Sequence, residues 1–309
     1  MNNTLYVINP AGHGGAGAKA WEAFRKSWPD PIDPEHVIFT EHPGHAREIA
    51  ASVKGYDTIA AVGGDGTVGD ISSGILDREG DRPTIAIIPA GTGNDIARNV
   101  GINSMEDAVS ALKGKHVRAF DLIRADYQED GQSGHRYAFL TVGVGFSPIP
   151  MVKPWMKRIL GPKGAYYLGT FLQILMHRSP HFTVQVDGDE RWNTRGWMII
   201  IANVESSSGG SMQIGPGART DDGELNITIF PAKSKFTMAT KLLPMVPSGE
   251  QVNAAGVQYF PGKKIEVASD YPAILDFDGD VFGTTPATIT VCPGMFRVMI
   301  PRGREKDSA

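Results

Sequence analysis

Apolar and polar positions alternate in blocks along the first part of the chain. Four short apolar runs are typical of buried strands: Leu5–Ile8, Val37–Thr40, Thr58–Val62 and Thr84–Ile88. Between them lie segments with the spacing of amphipathic helices, namely Ala18–Trp28, His45–Val53, Val68–Leu76 and Asp95–Val100. This alternation, with short glycine-rich connections, predicts a parallel sheet in an α/β domain.

After Asp121 the pattern changes to closely spaced apolar runs that predict strands. These runs are Tyr137–Phe146, Phe182–Val186, Met198–Val204, Leu225–Phe230, Lys264–Ala268, Ala273–Phe277, Thr288–Cys292 and Phe296–Ile300. Asp-Gly turn signals separate many of them, as in antiparallel hairpins. Helices are predicted near Val152–Ile159 and Ala165–His177, and the polar stretch Gln128–Gly134 predicts a surface loop. The second part is therefore expected to be a mainly antiparallel β-sandwich.

These patterns divide the chain into two domains. Residues 1–122 form the α/β domain and residues 123–301 the β-rich domain, whose last strand can return to the first domain. Residues 302–309 form a polar tail, which we expect to be frayed.

The amino-acid composition mainly excludes classes of function. The chain has 309 residues, 41% of them hydrophobic and 21% charged, as in ordinary globular proteins. Its net charge of −4 argues against a nucleic-acid-binding protein. Cys292 is the sole cysteine, so we expect a buried strand thiol and neither an internal disulfide nor a cysteine metal site. The start of the chain lacks signal-peptide features and no apolar run could cross a bilayer, which predicts a cytoplasmic protein with peripheral membrane contact.

Three glycine-rich loops follow predicted parallel strands: Asn9–Gly17, Gly63–Thr67 and Pro89–Asp95. Ligands of open α/β sheets bind at the carboxyl ends of the strands, where these loops are expected to lie. Glycines let backbone N–H groups approach an anion, and the N-terminus of a helix attracts phosphate.

The polar residues of these loops suggest more specific roles. Thr67 is predicted to cap the helix after the second loop, and Asn94 or Asp95 the helix after the third. Asp65 beside a phosphate makes sense if it orders the loop or orients a Mg²⁺ ion. The residues alone therefore predict a nucleotide-phosphate enzyme that uses a metal ion. Gly12, Gly14 and Gly17 also satisfy the G-x-G-x-x-G dinucleotide pattern, but that pattern leaves the other two loops unexplained.

Taken together, the motifs resemble those of the diacylglycerol/sphingosine-type lipid kinases. The matching motifs are Asn9-Pro10…Gly14, Gly63–Thr67, Pro89-x-Gly91-Thr92-x-Asn94-Asp95, Asp121-Leu122, Gly143-x-Gly145-Phe146, Lys163–Leu168, Asn203…Gly209-Gly210…Pro216…Asp222-Gly223-x-Leu225 and Asp278-Gly279-Asp280. The resemblance implies an N-terminal nucleotide-binding domain like those of NAD kinases and phosphofructokinases, with ATP in the cleft between the two domains.

The resemblance also implies a set of site residues. Those expected to bind ATP are Asn9, Pro10, Ala11, Gly12, His13, Thr40, Gly63, Gly64, Asp65, Gly66, Thr67, Val68, Gly69, Thr92 and Asn94. Asp65, Asp95 and Asp121 would belong to a Mg²⁺–water network, and Arg219, Asp222 and Glu224 to a structural Mg²⁺ site.

The proposed catalytic base is Asp280, alongside Asp65 as the second catalytic residue. The family usually has Asp-Gly-Glu where this chain has Asp278-Gly279-Asp280, so the side chain of the expected base is one methylene shorter. Asp278 is a substitute candidate for the base. A further departure is Gly69-Asp70, where the family often has Asn-Glu.

The implied substrate is a lipid alcohol, with diacylglycerol the leading candidate beside phosphatidylglycerol, a sphingoid base and an undecaprenol-like alcohol. Basic and aromatic residues in Val152–Gly164, with Lys153, Lys157 and Arg158 among them, suit an anionic membrane surface. The predicted helix Ala165–His177 is expected to belong to the core. Homodimer formation is left open.

Three alternatives remain from the sequence. An NAD kinase would share Gly63–Thr67 but does not need the third loop in this form. A dinucleotide-binding oxidoreductase would use Gly12–Gly17, with Glu41 as the acidic residue of its fingerprint. A non-catalytic nucleotide- or lipid-binding regulator is suggested by the shortened base.

Overall fold

The computed structural model describes residues 3–129, 131–188 and 190–303, which form two compact units. The first unit comprises the chain up to Phe120 and from Gly294 onward, and the second comprises Asp121–Pro293. The predicted tail lies outside the described residues from position 304. The described part also excludes the side chains of His13, Lys157, Pro162, Lys163, Glu190 and Arg191.

The first unit is a parallel sheet with helices in the connections, as its sequence pattern predicts. Its elements are β1 (Thr4–Ile8), α1 (Ala16–Ser27), β2 (Val37–Phe39), α2 (His45–Ser52), β3 (Thr58–Gly63), α3 (Asp65–Asp77), β4 (Thr84–Pro89), α4 (Asp95–Asn99) and α5 (Met105–Gly114). The strands lie in the order β4-β3-β1-β2, and the pairs are parallel.

Continuous apolar runs produce this sheet because its central strands are covered on both faces. All six residues of β3 are buried, and five of the six in β4. Tyr6 of β1 packs against Trp21 of α1 with ring centroids 5.1 Å apart. Helices α2 and α3 meet at Gly74, where a Cβ would lie 2.3 Å from the Arg47 carbonyl oxygen.

The second unit consists mainly of antiparallel strands. The chain continues with β5 (His116–Glu129), β6 (Gln132–Ala138), β7 (Thr141–Val144), α6 (Pro154–Met176), β8 (His181–Val186), β9 (Glu190–Ala202), β10 (Ser206–Ser207), β11 (Met212–Gln213), β12 (Leu225–Pro231), α7 (Lys235–Thr237), β13 (Gln258–Gly262), β14 (Lys264–Ser269), β15 (Ile274–Phe277) and β16 (Asp280–Ile300). Its strands follow the order β13-β12-β9-β7-β15-β16, while β14 pairs with β8 and β16. Alternate side chains of these strands form one buried core that includes Val142, Ile199, Ile227 and Leu275.

The chain passes between the two units inside strands. Strand β5 contains the step from Phe120 to Asp121, and β16 contains the step from Pro293 to Gly294. The end of β16 belongs to the first unit, where Val298 pairs in parallel with Ile85 of β4.

Several predicted boundaries differ from those observed. The expected loop Gln128–Gly134 is mostly strand, because β5 and β6 pair up to Glu129 and Gln132. The two predicted helices after Val152 are the single element α6, interrupted at Gly161, which has φ 70°. The last two predicted strands are one strand, β16, that continues through Pro293-Gly294.

Two helical segments were not predicted. Helix α5 begins after Ser104, whose side chain accepts a hydrogen bond from the Asp107 N–H at 3.1 Å. The second segment begins with α7 and continues in short helical turns, Met238–Leu242, Leu243–Ser248 and Glu250–Asn253, where Pro244 and Pro247 obscure the helical pattern. Among the described helices, none is both long and apolar enough to span a membrane.

Candidate active site

Asn9 joins the first glycine-rich loop to the second in the α/β unit. It follows β1, and its N–H donates to the Val62 carbonyl of β3 at 3.0 Å. Its side-chain Oδ1 accepts from the Gly12 N–H at 3.0 Å, and its Nδ2 donates to the Thr67 hydroxyl at 3.1 Å. One side chain therefore fixes both loops.

The second and third loops also hold each other. The Ala90 N–H donates to the Gly63 carbonyl at 2.9 Å, which extends the pairing of β3 and β4 into the loops. A Cβ at Gly91 would lie 2.9 Å from the Gly64 Cα, so the two backbones meet without room for a side chain. The expected convergence of three loops at one edge of the sheet is observed.

Thr67 does not cap helix α3 as predicted. The N-cap position is Gly64, and Thr67 lies within the first turn, where it is 5% exposed. A Cβ at Gly63 would lie 2.3 Å from the Thr67 Oγ1, so the threonine packs directly on that glycine. Thr67 therefore organises the loop through Asn9. Val68 is 2% exposed, so its side chain belongs to the core and is not available for the expected contact with a nucleotide.

Helix α4 is capped by a residue from another loop. Asn94 occupies the N-cap position with φ 49°, but its amide side chain bonds the Gly91 N–H and carbonyl at 2.7 and 2.8 Å. The Ile96 N–H in the first turn donates instead to Asp65 Oδ1 at 2.8 Å. Asp65 thus takes the acceptor role that the sequence assigned to Asn94 or Asp95.

Two carboxylates approach each other around Gly93. The Oδ2 atoms of Asp65 and Asp95 lie 3.6 and 3.0 Å from the position that a Cβ would occupy on this glycine. Like charges this close repel, and a divalent cation with oxygen ligands would offset that repulsion. Asp65 and Asp95 therefore fit the predicted Mg²⁺ site, whereas Asp121, its third predicted member, belongs to the second unit.

The surface of the second loop is open where a phosphate would approach. A Cβ at Gly66 or Gly69 would meet no described atom within 4 Å, so the fold itself does not require glycine at either position. Both glycines lie in the first turns of α3, whose N-terminus favours negative charge.

The remaining predicted ATP-binding residues lie around these loops. Pro10, Ala11 and Gly12 lead from β1 toward α1, and the side chain of His13 lies outside the described part. Thr40 donates its N–H to the Ile8 carbonyl at 2.8 Å, and Thr92 is exposed in the third loop.

His42, His45 and Glu48 form a cluster that sequence reasoning missed. Their potential ligand atoms lie within 4.8 Å of one another. However, Nδ1 of His45 accepts the Glu41 N–H at 3.1 Å, which in the neutral ring places the proton on Nε2. That nitrogen then has no lone pair for a metal ion. The cluster therefore organises the start of α2 and is not a metal centre.

In the β-rich unit, a buried carboxylate of β5 contacts the predicted structural metal loop. Asp121 is 2% exposed, its N–H donates to the Thr220 carbonyl, and its Oδ2 accepts from the Gly223 N–H, both at 2.7 Å. Asp222 Oδ1 accepts from the Glu224 N–H at 3.1 Å. The structure thus brings Asp121 together with the loop of Arg219, Asp222 and Glu224. Carboxylates and carbonyls there are the hard oxygen donors that suit Mg²⁺.

Asp278 is not suited to act as a base. Its two carboxylate oxygens accept the backbone N–H groups of Phe139, Leu140 and Thr141, each at 2.8 Å. Both oxygens are thus engaged by backbone donors and are not presented to a substrate hydroxyl. Asp278 instead anchors the turn between β6 and β7, whereas Asp280 is exposed at the start of β16.

Asp276 is a further carboxylate beside this motif that the sequence did not single out. Its Oδ1 accepts the Gly279 N–H at 2.9 Å, and the Ser147 hydroxyl also bonds it. Burial raises the pKa of Asp276, and the nearby charge of Asp280 adds to the rise. Desolvation of its hydroxyl group raises the pKa of Tyr166, and the charge of Asp276 adds to the rise. Only the three-dimensional contacts reveal this cluster.

Comparison with known proteins identifies the family. Residues 3–125 match the diacylglycerol kinase catalytic domain, and residues 154–300 match the YegS C-terminal NAD kinase beta sandwich-like domain. The Stenotrophomonas maltophilia protein named "Probable lipid kinase YegS-like" is 32% identical over 277 residues, which cover 86% of this chain and 87% of that protein. The chain belongs to the diacylglycerol kinase-type lipid kinase family.

Other members of this lipid kinase family align over most of the chain. A Mycobacterium tuberculosis protein named diacylglycerol kinase is 28% identical over 303 residues, covering 96% of this chain and 94% of its own. A crystal structure titled as a diacylglycerol kinase from Bacillus anthracis has a TM-score of 0.68 at 25% identity and covers 97% of both chains. The predicted fold class is confirmed.

Membership of the lipid kinase family also fixes the type of reaction. The protein is a phosphotransferase with an alcohol acceptor and ATP as co-substrate. These relatives favour the lipid kinase over the NAD kinase and the oxidoreductase that the sequence left open.

Proposed function

We propose that this lipid kinase phosphorylates diacylglycerol to phosphatidic acid at an anionic membrane surface. The observation that carries the proposal is the linked set of loops, in which Asn9 bonds Thr67 and Ala90 bonds Gly63 at adjacent strand ends. Such a cradle suits the phosphates of ATP. The choice of diacylglycerol is supported by relatives that carry the name diacylglycerol kinase and align with up to 96% of the chain.

In this proposal the three loops bind the nucleotide through backbone N–H groups and short polar side chains. Gly66 and Gly69 leave room for the phosphates, Thr92 offers an exposed hydroxyl, and Thr40 lies at the neighbouring strand end. Binding by a preformed backbone favours the charge distribution of the transferring phosphoryl group, which needs positioning more than covalent assistance.

Two metal sites are part of the proposal. Asp65 and Asp95 would hold the catalytic Mg²⁺ directly or through water, and Asp222 with the carbonyls of Arg219 and Glu224 would hold a structural one beside the buried Asp121. The catalytic ion, when bound, would neutralise charge on the phosphates. Asp65 keeps one carboxylate oxygen on the Ile96 N–H, and its other oxygen would be the ligand of the ion.

The chemical step requires one proton acceptor. The diacylglycerol hydroxyl oxygen forms a bond to the γ-phosphorus while the bond from that phosphorus to the β,γ-bridging oxygen breaks, and ADP leaves. The hydroxyl proton passes to the Asp280 carboxylate. Asp280 is exposed at the start of β16, whereas the neighbouring Asp278 has its oxygens committed to three backbone N–H groups.

The test is phosphate transfer from labelled ATP to a panel of lipid alcohols in mixed micelles, with NAD as a control acceptor. We expect labelled phosphatidic acid. Asp280→Asn should reduce turnover by at least about a hundredfold, the usual contribution of a general base, and leave ATP binding intact. Asp126→Asn is the matched control, because Asp126 pairs with Arg124 at 2.7 Å.

The outcomes separate the alternatives. Label on a different lipid would retain the kinase and replace the acceptor. Label on NAD would favour the NAD kinase alternative. ATP binding without any labelled product would favour a non-catalytic regulator, and full activity in Asp280→Asn would remove that residue as the base.

A further inference from the structure

Helix α6 exposes an unusual amount of apolar surface. Of the eleven large apolar side chains exposed among the described residues, eight lie on α6 and a ninth, Phe236, on α7. Tyr167 and Phe171 are 72% and 56% exposed, and Phe236 is 75% exposed. The helix predicted to belong to the core is therefore largely uncovered on one side. Contiguous exposed apolar surface marks a site of association.

The two helices share one surface. The Lys235 ammonium donates a hydrogen bond to the Leu175 carbonyl at the end of α6, which places Phe236 next to the last turn of that helix. We call this surface, defined by Trp155, Ile159, Tyr167, Phe171, Met176 and Phe236, the α6–α7 face. Both halves of α6, on either side of Gly161, contribute to it.

The two chain segments that contain this face have basic residues but no acidic ones. The sequence has no Asp or Glu in residues 131–186 or in residues 225–249, although the whole chain has 34 of them. The same two segments carry nine of the 30 Lys and Arg residues. Lys153, Arg158, Lys233 and Lys235 are exposed there, whereas the side chains of Lys157 and Lys163 lie outside the described part.

We propose that the α6–α7 face inserts its apolar side chains into an anionic bilayer while its cations bind the lipid phosphates. This inference rests on the proposed function, because a kinase for a membrane lipid must reach its acceptor in the bilayer. Aromatic side chains flanked by Lys and Arg are typical of interfacial helices. A second copy of the chain fits less well, since a two-fold contact would oppose the same cations on both sides.

Vesicle sedimentation of the full chain, without ATP, tests the binding. We expect association with phosphatidylcholine vesicles that contain phosphatidylglycerol and little association without it. The apolar double variant Phe171→Ser with Phe236→Ser, and the charge variant Lys153→Glu with Arg158→Glu, should each lower the affinity by more than about tenfold.

Matched controls come from the first unit. Phe39 is 47% exposed on β2, and Arg25 with Lys26 form an exposed basic pair on α1. Phe39→Ser and the pair Arg25→Glu with Lys26→Glu should bind vesicles as the wild type does. The proposal would be overturned if the control variants lost as much vesicle binding as the α6–α7 variants. It would also be overturned if the α6–α7 variants bound vesicles as the wild type does.

Insertion is tested separately with Trp155, which is 54% exposed. Vesicles of brominated lipids should quench part of the tryptophan fluorescence, and Trp155→Phe should abolish that part. Quenching that persists in Trp155→Phe would contradict insertion of this face. The face would instead be assigned to a second copy of the chain if the wild type dimerised with rising concentration and did not bind vesicles. The double variant Phe171→Ser with Phe236→Ser should then lose the dimerisation.

Activity distinguishes this proposal from the proposed function. With a short-chain diacylglycerol dispersed below its micelle concentration, the α6–α7 variants should retain wild-type turnover. With the same lipid in anionic vesicles, their turnover should fall in parallel with binding. If the wild type fails to phosphorylate either form, the acceptor is wrong, yet the vesicle measurements still decide the docking surface.

Discussion

At the scale of single residues, the glycines of the second loop serve two different purposes. Gly63 is needed by the fold, because a Cβ there would overlap the Thr67 side chain at 2.3 Å. Gly66 has open space around the same position. Its lack of a side chain therefore points to a ligand that approaches the backbone.

We predict that Gly66→Ala retains the stability of the wild type or exceeds it slightly, because alanine favours the helix by up to about 1 kcal/mol. Its KM for ATP should rise, since the added methyl group obstructs the phosphates. Gly63→Ala should instead lower the free energy of unfolding. Thermal unfolding and ATP titration of both variants check this, and an unchanged ATP affinity in Gly66→Ala would contradict the role.

Asp65 combines two roles that substitution can separate. Asn retains a side-chain oxygen for the Ile96 N–H, whereas Ala does not. Asp65→Asn should therefore unfold at the wild-type temperature but lose most kinase activity. Asp65→Ala should lose the activity and also about 1 kcal/mol of stability, the usual contribution of a helix cap. Equal stability of the two variants would exclude the capping role.

Asp276 is expected to reduce stability near neutral pH. Its raised pKa means that the folded protein holds this proton up to a higher pH than the unfolded chain does. Stability is therefore lost as pH rises from the ordinary carboxyl pKa through the raised one. Asp276→Asn should be more stable than the wild type near neutral pH, and the difference should shrink on acidification.

Urea unfolding across this pH range measures the effect. A variant less stable than the wild type at neutral pH would show that the hydrogen bonds to Ser147 and Gly279 outweigh the burial of charge. Lower turnover in a more stable variant would indicate that the carboxylate is retained for activity.

At the scale of elements, the end of α6 packs on the sheet through a neutral histidine. The ring of His177 stacks on Trp197 with centroids 4.4 Å apart and meets Phe146 edge-on. Burial lowers the pKa of His177 from 6.5 to about 4. The charged form is therefore excluded from this apolar cluster.

This histidine predicts a loss of stability in acid. Below pH 6.5 the unfolded chain takes up the proton first, so stability falls until the pH reaches about 4. The loss is on the order of 3 kcal/mol. His177→Phe should retain the stacking and flatten this part of the pH profile, measured by chemical unfolding. An unchanged profile would assign the acid sensitivity to other groups.

The sequence predicted best those elements whose residues are buried to a similar degree along the element. Strands β3 and β4 are buried on both faces, so their apolar runs are unbroken. Strand β16 was divided in prediction because Pro293-Gly294 is a strong local turn signal, which the pairing on either side overrides. Such an override depends on residues distant in sequence.

Some features of the candidate site could likewise be predicted from the sequence, and others could not. The glycine spacing revealed the three loops, since it is a local requirement. The cap of α4 by Asp65 links residues 31 apart, and the anchoring of Phe139 by Asp278 links residues 139 apart. No local pattern reports such contacts. For this reason the sequence alone leaves Asp278 as a candidate base, and only its backbone partners argue against that role.

At the scale of the whole molecule, acidic residues and most of the exposed large apolar side chains occupy different segments of the chain. The chain is acidic overall with a net charge of −4, yet two long segments of the β-rich unit contain no acidic residue. Binding to anionic vesicles should therefore weaken steeply as salt is added, because screening acts on these cations. The apolar contribution would remain.

The return of β16 to the first unit has a consequence for synthesis of the protein. Strand β4 gains its second neighbour through residues near Val298, in the last part of β16. While the ribosome is still translating the β-rich unit, the nucleotide-binding sheet would present β4 as an unpaired edge, which is a template for aggregation. A chain that stopped before Phe296 would lack this partner of β4, so its defect would appear in the unit that was translated first.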